Sequence, residues 1–218
     1  MIWKALMGNN PDSNFMITYV MVNQASLWVT MFLPRGTYIP QKVLDGTIVY
    51  EFIRPYSLLF DSFFETLGHI FYNFLFRSIP IYVFGILILG TQLPSLSNLI
   101  PFLISVFLGF LIAFFLNYFI GLWSILFIDY SGAHNFYFFL MNTFGGNYIS
   151  LEFYPEFLQP LVKWMPFSGT SYIPGSIYLG RISLVYAFAH QILWVIALFF
   201  TALYLTKKVH KYLQIQGG

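Results

Sequence analysis

Apolar residues run through most of this chain in long blocks, separated by short polar or Pro- and Gly-rich stretches. Blocks of that length predict helices that cross a bilayer. The first covers about Phe15 to Leu33 and carries Asn23, Gln24 and Ser26. Polar residues inside a span point to packing against protein rather than lipid. Pro34-Arg35-Gly36 ends it. The second block, Ser57 to Gly90, would make about 50 Å of helix at 1.5 Å per residue, more than a bilayer core of roughly 30 Å. Its first turns are therefore expected at the membrane surface, with the span proper from near His69 to Gly90 and a kink at Ser78-Ile79-Pro80. Leu99 to Ile128, Phe136 to about Phe144, and Leu184 to Leu205 follow. The expected fold class is all-α: a polytopic helical membrane protein with five visible spans in a single domain, 1–218.

Between the fourth and fifth spans, residues 145–180 break this pattern with Pro155, Pro160, Pro166 and Pro174 and with several glycines. Neither apolar piece of Leu151 to Trp164 is long enough to cross a bilayer. Broken helix at membrane depth is tolerated only against protein or a water-filled cavity. A re-entrant helical hairpin capping the outer end of the bundle fits, with an ordinary loop as the alternative. Gly145-Gly146 reads as a helix break.

The loop at 35–56 carries Leu44, Ile48 and Phe52 at i, i+4 and i+8, with Asp45, Thr47, Glu51 and Arg54 on the other face. This predicts one short amphipathic helix stopped by Pro55. Such a helix suits the bilayer surface or a groove on a soluble partner, and periodicity alone favours the surface.

Composition narrows the class. Of 218 residues, 58% are hydrophobic and only 8% charged, against roughly 25% charged in a soluble domain. A formal charge of +2 leaves no nucleic-acid footprint. Cysteine is absent, so thiolate metal sites and disulfides are excluded. Lys207, Lys208 and Lys211 in the tail, with Arg35, Lys42 and Arg54 in the 35–56 loop, outnumber Lys4, Lys163 and Arg181 on the other side. Positive loops stay inside, so a cytoplasmic C-terminus in a plasma (inner) membrane is expected, with 35–56 cytoplasmic and 145–180 extracellular.

Asp61, Glu65, His69, Asn73 and Arg77 recur every four residues, on one slowly drifting helix stripe. Ionisable groups in a span usually face the bundle or a cavity. For Asp61 and Glu65 the wet face of a surface-lying helix is favoured; for Arg77, a buried pairing role. Glu65 and His69 have helical spacing for metal ligands, but no further ligand stands nearby. His190, alone in a span, is expected to bond a neighbouring helix. No G-x-x-x-x-G-K-[ST] phosphate loop and no catalytic triad spacing occur, so neither ATP binding of that kind nor enzymatic activity is expected of this chain.

Gly46 with Arg54-Pro55, and the stretch "FYPEFLQPLVKWMPFSGTSYIPGSIYLG" with Pro155, Pro166-Phe167, Pro174 and Gly180, resemble the permease (membrane) subunits of type-2 ABC exporters whose ATPases are separately encoded. The resemblance implies six spans, a re-entrant outer hairpin, and a cytoplasmic coupling helix docking on an ATP-binding subunit. "IWKALMGNN" resembles the family's link between spans one and two, and Ser150 stands where the family often has proline. ATP and Mg would sit on the partner ATPase, expected in two copies, with no cofactor in this chain. A second permease, identical or related, and membrane lipid complete the expected partners. Leu44, Ile48 and Phe52 are expected to fill a groove on the ATPase while Glu51 and Arg54 pair at its rim. A non-transporting assembly subunit or an intramembrane enzyme remain the other classes.

Overall fold

A computed structural model describes residues 11–31, 33, 35–127 and 130–216, without the side chains of 11–14, 35, 36 and 211–216. Lys4, the "IWKALMGNN" link, Pro34, Ile128 and Asp129 lie outside the described residues, as do the side chains of Arg35 and Lys211. Among the described residues every regular element is helical.

The central element is α6, Leu96–Phe127; α1 is Pro11–Thr30. Helix α4, Leu58–Asn73, passes through a π-turn at Phe74–Ser78 into α5, Ile79–Leu89. Helix α7 is Ser131–Phe144 and α10 is Leu184–Gln216. The short helices α2, Ile39–Leu44, and α3, Ile48–Ile53, lie in the loop after α1; α8, Gln159–Trp164, and α9, Tyr172–Tyr178, lie before α10. Among the described residues three helices are long and apolar enough to cross a membrane: Leu58–Leu89, Leu96–Phe127 and Leu184–His210. Helix α1 has 20 residues, about 30 Å. With 14 residues, or about 21 Å, α7 starts earlier than the expected fourth segment and reaches only part-way across a bilayer core.

Burial follows position. Phe110, Ile112, Ala113, Phe114 and Tyr118 on successive faces of α6 are all inside, as expected of a helix apolar all round. Its neighbours are α10, α9 and the 3₁₀ turn Arg35–Tyr38. Helix α1 buries its polar residues too: Asn23, Ser26 and Thr30 face protein. Ser26 and Thr30 donate to the carbonyls of Val22 and Ser26 one turn back.

The expected kink is a π-turn. Ile79 N–H bonds Phe74 O, five residues back. Pro80 next to it has no N–H to continue the ordinary ladder.

Residues 145–180 fold as broken, mostly short helix. Helix α7 ends at Gly145, and Gly146 takes φ +74°. The deepest backbone contact with α6 comes from the 3₁₀ turn Pro166–Gly169, rather than from Leu151 to Trp164. A Cβ on Gly109 would meet Gly169 O at 3.0 Å and Thr170 O at 3.1 Å. Only paired small residues allow that approach. Gly109 is about 20 Å along α6 from Leu96, so the turn reaches well down the bundle.

Candidate functional site

The 35–56 loop forms two helices where the pattern predicted one. Gly46 stands between them at φ +70°, a left-handed geometry that glycine adopts at low cost. Its N–H bonds Val43 O at 3.2 Å, and Asp45 N–H bonds Gln41 O at 3.0 Å, closing α2. The break resets the helical register, so the i, i+4, i+8 ridge does not survive as one face. Leu44 is 60% exposed. Ile48 and Phe52 instead pack partly inward, and the Phe52 ring lies 5.3 Å from that of His210. The exposed apolar face of α3 is Val49, Tyr50 and Ile53, the last 75% exposed. Glu51, expected at a rim, is buried.

Glu51 is tolerated inside because cations reach it. Lys42 Nζ lies 3.2 Å from Glu51, 3.4 Å from Asp61 and 3.0 Å from Glu65. Arg54 Nη1 stands 3.2 Å from both Glu51 oxygens and 4.0 Å from Asp61. Burial pulls the Lys42 ammonium down, but hydrogen bonds and charge from Glu65 and Glu51 outweigh it and hold it above the usual lysine range. Two cations among three carboxylates therefore bolt the loop to the first turns of α4. Pro55 follows the extended Arg54 and separates α3 from α4.

The stripe on α4 and α5 continues this seam. Tyr38 Oη is 3.4 Å from His69 Nδ1. Asn73 donates to Trp28 O at 3.2 Å. The Arg77 guanidinium lies over the Trp28 ring at 4.3 Å. Read from Arg77 back to Asp61, the partners advance from Trp28 to Tyr38 to Lys42. Through these partners the stripe forms an antiparallel zipper against the end of α1 and the loop. Asp61 and Glu65 are paired rather than simply wet. Arg77 departs from its expected burial: it is exposed, with Trp28 stacked on one side of it.

In the 145–180 segment, Pro155 O accepts from Leu158 and Gln159 and turns the chain into α8. Pro166 opens the inserted turn. Phe167 packs its ring 6.4 Å from Phe144. Pro174 is buried in the first turn of α9, where no intrahelical donor is needed. Gly180, at φ +67°, ends α9: Gly180 N–H bonds Ile177 O at 3.0 Å and Arg181 N–H bonds Ser176 O at 2.9 Å, a Schellman cap. His190 lies 3.1 Å from Trp164 O, a bond to this segment rather than to a helix of the bundle.

One hub has no counterpart in the sequence reading. Gln191, fully buried, donates to Gly169 O at 2.7 Å and Ser105 O at 2.9 Å and accepts from Ser105 Oγ at 2.9 Å. It ties the inserted turn to α6 and α10. The signal available was an amide inside an otherwise apolar span. A second tie is at Gly146 O, which accepts from Tyr19 Oη at 2.6 Å and Asn23 Nδ2 at 3.2 Å. Among the described residues no group of three His, Asp or Glu side chains is placed to hold a metal ion.

A family model described as "ABC-2 family transporter protein" matches residues 4–217. The chain belongs to the ABC-2 transporter family. It is thus a membrane permease component of an ABC transporter, a class that works with an ATP-binding partner. No curated protein matches the chain. Within this ABC-2 permease, the ion-paired loop and the tied inserted segment are the two polar-bonded attachments to the bundle.

Proposed function

We propose that the chain is the permease of an ATP-driven exporter in the plasma (inner) membrane. Two ATP-binding subunits carry ATP and Mg, and this chain binds neither and catalyses no reaction itself. The 35–56 loop and the C-terminus are cytoplasmic, and 145–180 faces outward. A second permease, identical or related, completes the translocation path.

One observation carries the reading: Leu44, Val49, Tyr50 and Ile53 are exposed on a loop that is otherwise anchored. An apolar face on a fixed mount suits an ATPase groove, and force applied there passes through Lys42 into α4. Arg77 supports the second permease. It lies about 12 Å past His69, on a face with Phe71, Tyr72 and Phe76 exposed around it. A mid-span charge facing lipid costs about 2.5–3.5 kcal/mol on insertion scales, so protein is the better neighbour.

The test is co-purification with an ATP-binding subunit of the same ABC transporter. Tyr50→Ala with Ile53→Ala should weaken the complex about thirtyfold, equivalent to about 2 kcal/mol for an aromatic anchor. Retention of the ATPase by that variant would place the face on lipid and remove the ATP-driven reading. Orientation is read separately in this cysteine-free chain. Lys163→Cys should react with an impermeant thiol reagent in intact cells, and Lys208→Cys should not.

A further inference from the structure

We infer that the cavity between the 35–56 loop and α10 binds the phosphate headgroup of an anionic membrane lipid. The cavity holds about 480 Å³, and Glu51, Phe52, Arg54, Leu58, Lys207 and His210 stand on its wall. It lies where two spans end together, at the first residue of Leu58–Leu89 and near the last of Leu184–His210. That is the level at which headgroups sit.

The charge on the wall is cationic in effect. Glu51 is its one carboxylate, and Lys42 and Arg54 already neutralise it, each at 3.2 Å. Lys207 has no carboxylate within ion-pair distance among the described residues. Phe52 and Leu58 add apolar surface to the same wall.

The outer surface of α10 distinguishes a lipid from a simple anion. Leu193, Ile196, Phe200 and Tyr204 are all exposed, Phe200 and Tyr204 by 63% and 65%. Their spacings of three and four place them on one helix face, and the next step of three is Lys207. An acyl chain lying along this stripe delivers its headgroup to Lys207 at the cavity mouth. Free phosphate would use the cations and leave the stripe unused. A carboxylate from a soluble partner would do the same. Basic pockets between membrane helices bind anionic headgroups by this combination of charge and apolar track. The inference does not depend on an ATPase docking at α3. It places a lipid against Glu51 and Arg54, so leaflet composition would bear on how firmly the loop is held.

The experiment uses the permease purified in neutral detergent and titrated with short-chain phosphatidylglycerol, phosphatidylcholine or inorganic phosphate. Thermal unfolding and native mass spectrometry are read together. Phosphatidylglycerol should raise the unfolding temperature and stay bound, and the other two should not. Lys207→Gln should weaken phosphatidylglycerol binding about fivefold, the share of one lysine near an anionic surface. Lys208→Gln, one residue along and not on the cavity wall, should leave it unchanged. Both variants are on exposed positions, so their unfolding without lipid should match the parent. Equal loss in both variants would reduce the effect to general surface charge. Stabilisation by phosphatidylcholine or by phosphate alone would also overturn the lipid site. So would lipid-free wild type whose Lys207→Gln variant loses the ATPase, which would assign the cavity to a protein carboxylate.

Discussion

Lys42 is the residue whose removal should do most to free the 35–56 loop, and its worth depends on Glu51. The Glu51 side chain is 6% exposed, that of Lys42 19%, and those of Asp61 and Glu65 21% and 36%. The arms to Asp61 and Glu65 are close to surface pairs, worth about 0.2–1 kcal/mol each. The arm to Glu51 differs, since breaking a buried pair by deleting one partner costs about 3–5 kcal/mol when nothing else compensates. Here Arg54 still reaches both Glu51 oxygens at 3.2 Å, so roughly half of that penalty, about 1.5–2.5 kcal/mol, should appear. Lys42→Met should therefore destabilise the protein by about 2–4.5 kcal/mol in total, lowering the unfolding temperature by about 4–18 °C at this chain length.

Glu51→Gln removes the buried charge that makes Lys42 necessary. In that background Lys42→Met loses only the exposed arms and should cost about 1 kcal/mol. The assay is a double-mutant cycle on the purified permease, followed by tryptophan fluorescence on heating and by protease sensitivity of the loop. Loop cleavage should rise sharply in Lys42→Met and return most of the way in the double variant. If Lys42→Met costs the same in both backgrounds, Glu51 is not held by Lys42, and the loop is fixed by packing of Ile48 and Phe52 instead.

Other outcomes follow from the same geometry. Gly109→Ala should lower stability by about 1–3 kcal/mol, because its Cβ meets backbone at 3.0–3.2 Å with no side chain to yield; Gly68→Ala, with nothing within 4 Å, should be neutral or stabilising in the same thermal assay. Gln191→Leu should cost about 1–3 kcal/mol, nearer the low end typical of membrane interiors, and should expose the inserted turn to hydrogen exchange first. Arg77→Leu should leave the isolated chain within about 1 kcal/mol of the parent, since it removes a cation–π pair that is exposed to its surroundings. It should impair assembly with a second permease, measured by cross-linking, and unimpaired assembly would count against protein covering that face. Lys42 is held above the free lysine range of about 10.4, so its contribution is complete below that pH and is lost as pH rises through the folded value; unfolding temperatures should not fall on this account between about pH 7 and 9.

The long spans were legible because composition and length alone decide them: α6 and α10 lie where the apolar blocks lie. The polar stripe was legible as a pattern, since four-residue spacing survives any environment, but its partners were not. Trp28, Tyr38 and Lys42 come from a chain segment whose path depends on two left-handed residues, Thr37 at φ 57° and Tyr38 at φ 62°. Nothing in the residue types at those positions announces such a turn. The exposed apolar face of α3 differs from the ridge that periodicity predicts for a related reason. Periodicity presumes a continuous helix through Gly46, and one glycine in left-handed geometry rotated Glu51 inward and Tyr50 outward. Gln191 stands beside His190 in the same span, and an amide that donates twice and accepts once can tie three elements where an imidazole ties two.

The two polar ties of this permease differ in what can undo them. At the Gln191 end every bond is buried and the glycine contacts leave no room for a side chain, so water and ions have no access. At the Lys42 end Glu65 and Arg54 are 36% and 45% exposed, so salt, a docking surface or a headgroup can exchange with the partners already there. Of the two seams, the one at Lys42 can re-pair and the one at Gln191 cannot. Between them lies the π-turn Phe74–Ser78, backed by a proline with no N–H. A helix interrupted there can change the angle between α4 and α5 without breaking further backbone bonds.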